Sequence, residues 1–230
     1  MREYSFLKHS VGAIIRLHSA PCRCSYGGIP SMKTRICTVL LLMSITSAMP
    51  FPAGAVLVQL GKDDIASALQ TGAEQGDSIA CYLDRQYSFG NGLAFAEEGV
   101  IRTKWYKLAM LAGLLAAKDR TPSEDEKKHI LQSTELQIDV HTYGATIDFA
   151  EKFSLQILQN GNVIQPSKVS SDHTAYQADK KIAVSGFPTY RATVRAYFPY
   201  TSFDPAGTAQ ILLVKDGSKI IHEINLADYK

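Results

Sequence analysis

The sequence contains little cysteine, and most of it lies near the N-terminus. Of four cysteines in 230 residues, Cys22, Cys24 and Cys37 precede residue 56. Only Cys81 lies in the rest of the chain, so that part cannot form an intramolecular disulfide. The C-x-C pair lacks a second pair of ligands, which argues against a metal or redox site. Cys81 has apolar neighbours, which favours a small packed side chain over a nucleophile.

Metal and cofactor motifs are also lacking. The histidines beyond the N-terminal segment are far apart, without H-x-H or H-x-x-x-H spacing: His129, His141, His173 and His222. Gly90-Asn91-Gly92 has no preceding apolar strand and no downstream lysine, so it is not a phosphate-binding loop. We therefore expect neither a metal site nor a cofactor.

No apolar run is long enough to span a membrane, but a shorter one has the features of an export signal. Lys33 and Arg35 precede an uncharged apolar stretch over residues 36–45, and Ala53-Gly54-Ala55 supplies small residues at the cleavage positions. A basic start, an apolar segment and an A-x-A end are typical of a secretory signal peptide. Residues 32–55 are thus predicted to be a signal peptide cleaved after Ala55, with no transmembrane segment after its removal.

Residues 1–31 precede this signal and show no regular pattern. Because a signal peptide belongs at the N-terminus, we interpret Met32 as the true start and residues 1–31 as an over-extended reading frame. The alternative is an unusually long basic region of the signal itself. Either interpretation predicts an exported bacterial protein, periplasmic or secreted.

The net positive charge of the chain comes from this leader. The leader carries six basic side chains and one acidic one, so residues 56–230 have 18 basic and 21 acidic side chains and a net charge of −3. Proteins that bind nucleic acid usually concentrate positive charge on one surface. The sequence shows no such concentration, which argues against a nucleic-acid partner.

The region over residues 56–133 has the pattern of helices. Asp63 is predicted to cap a first short helix that ends at Gly72. The stretch Trp105–Ala117 is apolar on nearly all sides, which is typical of a buried helix. Thr121-Pro122-Ser123-Glu124 resembles a capping box, with Thr121 as the cap and Pro122 in the first turn.

In several runs between residue 134 and residue 230 the apolar residues recur at every second position, as in β-strands with one buried face. Residues 135–141, 147–157 and 190–198 alternate in this way, and Asn160-Gly161 and Asp216-Gly217 are hairpin turn signals. Residues 167–188 are polar and weakly patterned, and we expect there a long connection with one short strand near residues 182–184. The chain is therefore predicted to be an α+β protein with a helical N-terminal half and an antiparallel, β-sandwich-like C-terminal half.

Two sets of residues are candidates for a functional site. If Gly144-Ala145 is a two-residue turn, His141 lies opposite Asp148, and an imidazole held by a carboxylate is the core of many acid–base sites. An ordinary surface pair fits the same pattern. The aromatic residues Tyr197, Tyr200 and Phe203 are the other candidate, for binding a ligand or partner, although edge packing would also explain them.

Two functions of different classes follow from these observations. The first is a non-catalytic envelope or secreted protein that binds or scaffolds a protein partner in the cell envelope. The alternative is a hydrolase-type enzyme that uses His141 and Asp148. A concave pocket around that pair would favour the enzyme, whereas a flat, wet surface would favour the binding protein.

Overall fold

A computed structural model describes residues 56–90, 98–172, 176–177, 190–215 and 217–230 of the protein. It combines helices and short 3-10 segments with two antiparallel sheets, and the strand-rich part is C-terminal. The predicted α+β class is therefore confirmed. The predictions for residues 1–55, including Ala53 and Ala55, lie outside the described residues, as do Asn91-Gly92 and a short strand expected near residues 182–184.

Between residues 56 and 133, the described residues form four α-helices: α1 (Lys62–Gln75), α2 (Ile79–Tyr87), α3 (Lys104–Ala116) and α4 (Glu124–Leu131). The buried helix predicted from Trp105 is α3, and Thr103 caps it by accepting a 3.1 Å hydrogen bond from the Tyr106 N–H. The region is not helical throughout, because two strands separate α2 from α3.

The predicted end of the first helix at Gly72 is wrong. The helix continues to Gln75, and Gly72 is buried in its interior. A Cβ atom at Gly72 would lie 2.2 Å from the Ala109 carbonyl oxygen of α3. Gly72 therefore serves close helix packing, and the positive φ of +49° is found four residues later, at Gly76.

The cap of α4 lies two residues beyond the predicted one. Ser123, rather than Thr121, is the N-cap, and its partner in the capping box is Glu126. Pro122 thus precedes the cap instead of occupying the first turn. The sequence fits a capping box that begins at either Thr121 or Ser123. With Ser123 as the cap, the first turn of the helix contains Glu124, Asp125 and Glu126, whose negative charges lie near the positive end of the helix dipole.

In the part of the chain that the structure describes, ten strands form two sheets. They are β1 (Ser88–Phe89), β2 (Glu98–Arg102), β3 (Glu135–Gly144), β4 (Ser154–Gln159), β5 (Asn162–Ile164), β6 (Lys168–Ser171), β7 (Tyr176–Gln177), β8 (Tyr190–Pro199), β9 (Thr208–Lys215) and β10 (Ser218–Asn225). The first sheet has the order β1-β2-β3-β8-β6, with β7 also paired to β8, and the second has the order β10-β9-β4-β5.

The two turn signals that predicted hairpins are confirmed. Asn160 and Gly161, with φ values of 52° and 78°, join β4 to β5. Gly217 has a φ of 80°, and Lys215 pairs with Ser218 across the turn between β9 and β10. Positive φ at these positions is what two-residue turns of this type require.

The hairpin predicted at Gly144-Ala145 is wrong. The strand β3 continues to Gly144 and pairs with β2 and β8, and the chain then enters a turn and a 3-10 segment, Phe149–Lys152. The alternating residues that follow Gly144 form a strand only from Ser154 onward. Phe149 packs so closely on Gly144 that a Cβ there would lie 2.0 Å from its ring.

The inward faces of both sheets and the helices share one hydrophobic core. From the first sheet it includes Leu136, Ile138 and Phe198, and from the second Ile157 and Leu213. On the helical side, the rings of Tyr87 and Trp105 stack, with 6.1 Å between centroids. Because the side chain of every second residue of β3 and β8 packs in this core, the side chains of the intervening residues lie on the opposite face of the sheet.

Candidate functional site

The predicted aromatic group does not form one cluster. Tyr200 and Phe203 pack together, with ring centroids 6.1 Å apart, and both are buried. Tyr197 belongs to the opposite phase of β8, beside Lys168, whose ammonium group lies 5.8 Å from its ring centroid. Tyr200 and Phe203 therefore stabilise the core, and Tyr197 faces the other side of the sheet.

The predicted pair of His141 and Asp148 is not a cross-strand pair. His141 lies opposite Glu98 on one side and Thr193 on the other. Asp148 lies in the exposed turn after β3, where a hydrogen bond from Thr146 lowers the pKa of its carboxyl group. The charged groups that act on the His141 ring are Arg191, Asp139, Arg102 and Asp84.

Polar side chains collect instead on the face of the first sheet opposite to the one that carries Leu136 and Ile138. We call this surface the polar face and define it by Arg102 of β2, Asp139 and His141 of β3, and Thr193 and Arg195 of β8. Asp139 lies opposite Arg195, and His141 lies opposite Thr193. Residues opposite each other in a ladder project to the same face, so the register brings these side chains together.

The innermost contact of the polar face is an ion pair. The Arg102 Nε lies 2.6 Å from the Asp139 Oδ2, and the Gln137 amide donates a 2.7 Å hydrogen bond to the other oxygen. Asp139 is only 2% exposed. Burial acts to lower the pKa of Arg102, but Asp139, Tyr106 and Asp84 together outweigh burial, and the pKa is raised. The guanidinium also lies 5.1 Å from the ring centroid of Tyr106.

Helices α2 and α3 supply the wall beside this ion pair. The Tyr106 hydroxyl donates a 2.6 Å hydrogen bond to Asp84, and burial raises the pKa of this phenol. Lys107 is half-buried one residue further along α3. Burial lowers the pKa of its ammonium group to about 8, although the nearby Asp139 carboxylate acts against this shift.

His141 occupies the centre of the polar face as a neutral ring. Its Nδ1 lies 3.1 Å from the Thr193 hydroxyl. Burial lowers the pKa of the imidazole to about 4, and the positive charge of Arg191 acts in the same direction. At neutral pH the ring is therefore uncharged and offers one donor and one acceptor.

A second ion pair closes the far side of the polar face. The Arg195 guanidinium lies 2.8 Å from Asp172, the residue that follows β6. The other oxygen of this carboxylate accepts a 3.0 Å hydrogen bond from the Thr193 N–H. Asp172 thus holds both the backbone and a side chain of β8, and Arg195 remains 35% exposed at its side chain.

Sequence reasoning missed Arg102, Asp139 and Lys107. The alternation of β3 placed Asp139 on a polar face but gave no indication that it is buried. That burial results from α3, whose position over β2 depends on tertiary packing. A signal for the face was present in β8, where Arg191, Thr193 and Arg195 alternate with apolar residues.

The remaining sequence candidates are dispersed. Cys81 is half-buried on α2, His129 is exposed on α4, and His222 of β10 packs edge-on against Phe89, with ring centroids 5.4 Å apart. His173 lies outside the described residues. Over the described ranges, no three His, Cys, Asp or Glu side chains are grouped so that they could hold a metal ion.

Two open clefts lie away from the polar face. One, of about 470 Å³, lies between residues 58–60, residues 131–134 and Tyr200. Lys104 lines it, donating a 2.8 Å hydrogen bond to the Leu131 carbonyl, and burial lowers the pKa of this ammonium group. The other, of about 400 Å³, lies over the β4–β5 turn and the start of β9. The predicted binding residue Tyr200 therefore does border a cleft.

Comparison with known proteins assigns no function to this arrangement. No protein-family model matches the chain. No curated protein matches it either. Among the helices of the described ranges, none combines the length and the apolar character needed to cross a membrane.

Proposed function

We propose that the protein is an exported, non-catalytic binding protein of the bacterial envelope or surroundings, and that the polar face receives its protein partner. The observation that carries the proposal is the internal pairing of this face. Arg102 is bound to Asp139, Arg195 is bound to Asp172, and His141 is a neutral ring next to Thr193. Groups fixed in this way form a rigid pattern of donors and acceptors, and rigidity lowers the entropy cost of binding.

The residue types along β8 support a protein partner. Three large polar side chains lie on the polar side of this strand and are half-buried: Arg191, Arg195 and Tyr197. Arginine and tyrosine are enriched in protein interfaces because they combine a large contact area with hydrogen bonding. The predicted signal peptide at residues 32–55 supports a location in the periplasm or outside the cell.

The enzyme alternative depends on acid–base chemistry. The two proposals therefore predict different effects on function when His141 or Asp148 is substituted. His141→Gln keeps a hydrogen-bonding group beside Thr193 but removes the titratable ring. Asp148→Ala removes an exposed carboxylate. If the protein acts by binding, both variants should restore the phenotype of a strain that lacks the protein, as the wild type does.

A double variant tests the binding proposal: Arg191→Glu with Tyr197→Ala changes the charge and contact area of β8 on the same side of the sheet as the polar face. We expect it to fold but to fail in complementation, whereas the control Lys128→Glu on exposed α4 should succeed. Circular dichroism and thermal melting of the purified proteins establish that each is folded. A folded His141→Gln or Asp148→Ala protein that fails, together with a functional Arg191→Glu/Tyr197→Ala protein, would overturn the binding proposal in favour of the enzyme.

A further inference from the structure

The second sheet ends in a long strand whose outer edge pairs with none of the strands that the structure describes. β10 spans Ser218–Asn225 and pairs with β9 on one side. On its other side, no backbone hydrogen bond reaches it from the residues that the structure describes. A strand with an open row of N–H and C=O groups is a template on which another strand can pair.

The turn before β10 determines which of its backbone groups point outward. Lys215 and Ser218 close the two-residue turn, so they form a hydrogen-bonded pair, and such pairs recur at every second residue. The backbone groups of Lys219, Ile221 and Glu223 therefore point away from β9, toward the open edge. The side chains of the same three residues project together from the outer face of the sheet and are exposed.

The order of these side chains fits a second copy of the same strand. In an antiparallel pair with its twofold axis at Ile221, each Lys219 lies opposite Glu223 of the second copy, and Ile221 lies opposite Ile221. Opposite charges directly across a ladder are favourable, and like charges are not. We infer that the protein forms a twofold dimer in which β10 pairs with β10 of a second copy through this register.

The neighbouring strand supports the same arrangement. Leu212 and Val214 of β9 lie opposite Ile221 and Lys219 and are half-buried on the outer face. Ile221 itself is 52% exposed. Pairing would bring these apolar side chains from both copies into one strip across the joined sheets. A twofold interface uses the same patch on each subunit, which is what this self-complementary order provides.

Lysine at an edge usually hinders pairing with other chains. Lys219 would therefore disfavour pairing with most strands. In the twofold register about Ile221, however, it lies opposite Glu223 of the second copy. The Gln210 amide donates a 3.2 Å hydrogen bond to the Glu223 carboxylate and holds it on this face. The charges therefore select the twofold register as well as stabilise it.

A proline substitution with a matched control tests the interface. Ile221→Pro removes an outward N–H, which an edge strand tolerates in its own fold. Val163→Pro is the equivalent change on the opposite edge strand β5. Val163 is 53% exposed and lies next to the closing pair of its own two-residue turn, so its N–H also points outward. We expect the full-length wild type and Val163→Pro to sediment as dimers and Ile221→Pro as a folded monomer.

A wild type that remains monomeric at its highest soluble concentration would overturn the inference, as would a folded Ile221→Pro protein that is still dimeric. Charge exchange provides a second test that does not depend on proline. Lys219→Glu and Glu223→Lys alone should each weaken the dimer about tenfold or more, because two symmetry-related pairs become repulsive.

The double variant Lys219→Glu/Glu223→Lys should restore the dimer, since each pair is again of opposite charge. An equimolar mixture of the two single variants should form a heterodimer, in which a chain with two acidic residues meets a chain with two basic ones. Sedimentation velocity at several concentrations measures all four cases. Failure of both the double variant and the mixture to recover dimer would contradict this register.

Discussion

At the scale of single residues, His141 shows how burial changes the chemistry of a side chain. Its position in the polar phase of β3 predicts an imidazole that is exposed to solvent. In the folded protein α3 and β8 flank the polar face, and the ring becomes neutral and poorly solvated. A group that was the strongest acid–base candidate in the sequence thus becomes a fixed hydrogen-bonding group.

This burial predicts a dependence of stability on pH. The pKa of His141 is about 4 in the folded state, below the ordinary value of about 6.5 expected on unfolding, so the unfolded chain binds the extra proton between these values. The stability contribution is present above pH 6.5 and is lost as the pH falls toward 4. Between pH 7 and pH 5 the wild type should lose about 1–2 kcal/mol more free energy of unfolding than His141→Gln.

Urea unfolding of the two proteins at both pH values provides the measurement. His129→Gln, which removes an exposed histidine from α4, is the control and should follow the wild type. An NMR titration of the His141 ring gives a direct check. A midpoint close to pH 6.5 would contradict the burial on which the prediction rests.

At the scale of elements, the packing of α3 against α1 and α2 depends on two glycines, Gly72 of α1 and Gly113 of α3. Gly72 faces the Ala109 carbonyl, and a Cβ at Gly113 would lie 2.6 Å from the side chain of Ile79. The three helices can pack this closely only because both positions lack a side chain. In the sequence a glycine near the end of a helical pattern resembles a C-cap, and the pattern carries no information about the partner helix.

Gly72→Ala should therefore destabilise the protein, although alanine is the better helix former. The gain of up to about 1 kcal/mol from helix propensity is opposed by overpacking of about 1–3 kcal/mol. We expect a net loss in the free energy of unfolding, measured by urea denaturation. Gln70→Ala, on the exposed side of the same helix, is the control and should change it by less than about 0.5 kcal/mol. A stabilised Gly72→Ala protein would show that the helices can move apart at little cost.

The buried helix α3 leads to a second prediction at this scale. Trp105 is 6% exposed and stacks on Tyr87. Trp105→Ala should cost about 3–5 kcal/mol, as large-to-small core substitutions do. The midpoint of denaturant unfolding should fall accordingly, with Lys118→Ala beyond the end of the helix as the control. A midpoint that stays at the wild-type value would place the indole outside the core.

Much of this architecture could be predicted because it is local. The apolar stretch of α3, the alternation in β8 and the turns at Asn160-Gly161 and Asp216-Gly217 each carry their own signal. The pairing of strands is not local. Gly144-Ala145 resembled a hairpin turn, but β3 finds better partners in β2 and β8, so the predicted contact of His141 with Asp148 was lost with the hairpin.

At the scale of the whole molecule, the predicted signal peptide makes the start of the exported product testable. Cleavage after Ala55 would leave Val56 as the first residue. Val56 is 1% exposed, and its N–H donates a 3.0 Å hydrogen bond to the Pro205 carbonyl. Because Ala53-Gly54-Ala55 supplies the small residues of a cleavage site, N-terminal sequencing of protein recovered from the periplasm or medium should begin at Val56. An exported form that retains residues 1–31 would contradict the prediction.

The contact between Tyr87 and Tyr229 has a consequence for the order of events during synthesis. Their rings lie 6.0 Å apart, and Tyr87 also packs on Trp105 and Tyr106. Helices made early thus receive part of their packing from a residue that leaves the ribosome much later. Contacts so distant in sequence slow folding, because a long loop must close first. If the protein is exported as proposed, this delay would keep the chain unfolded while a secretion channel threads it.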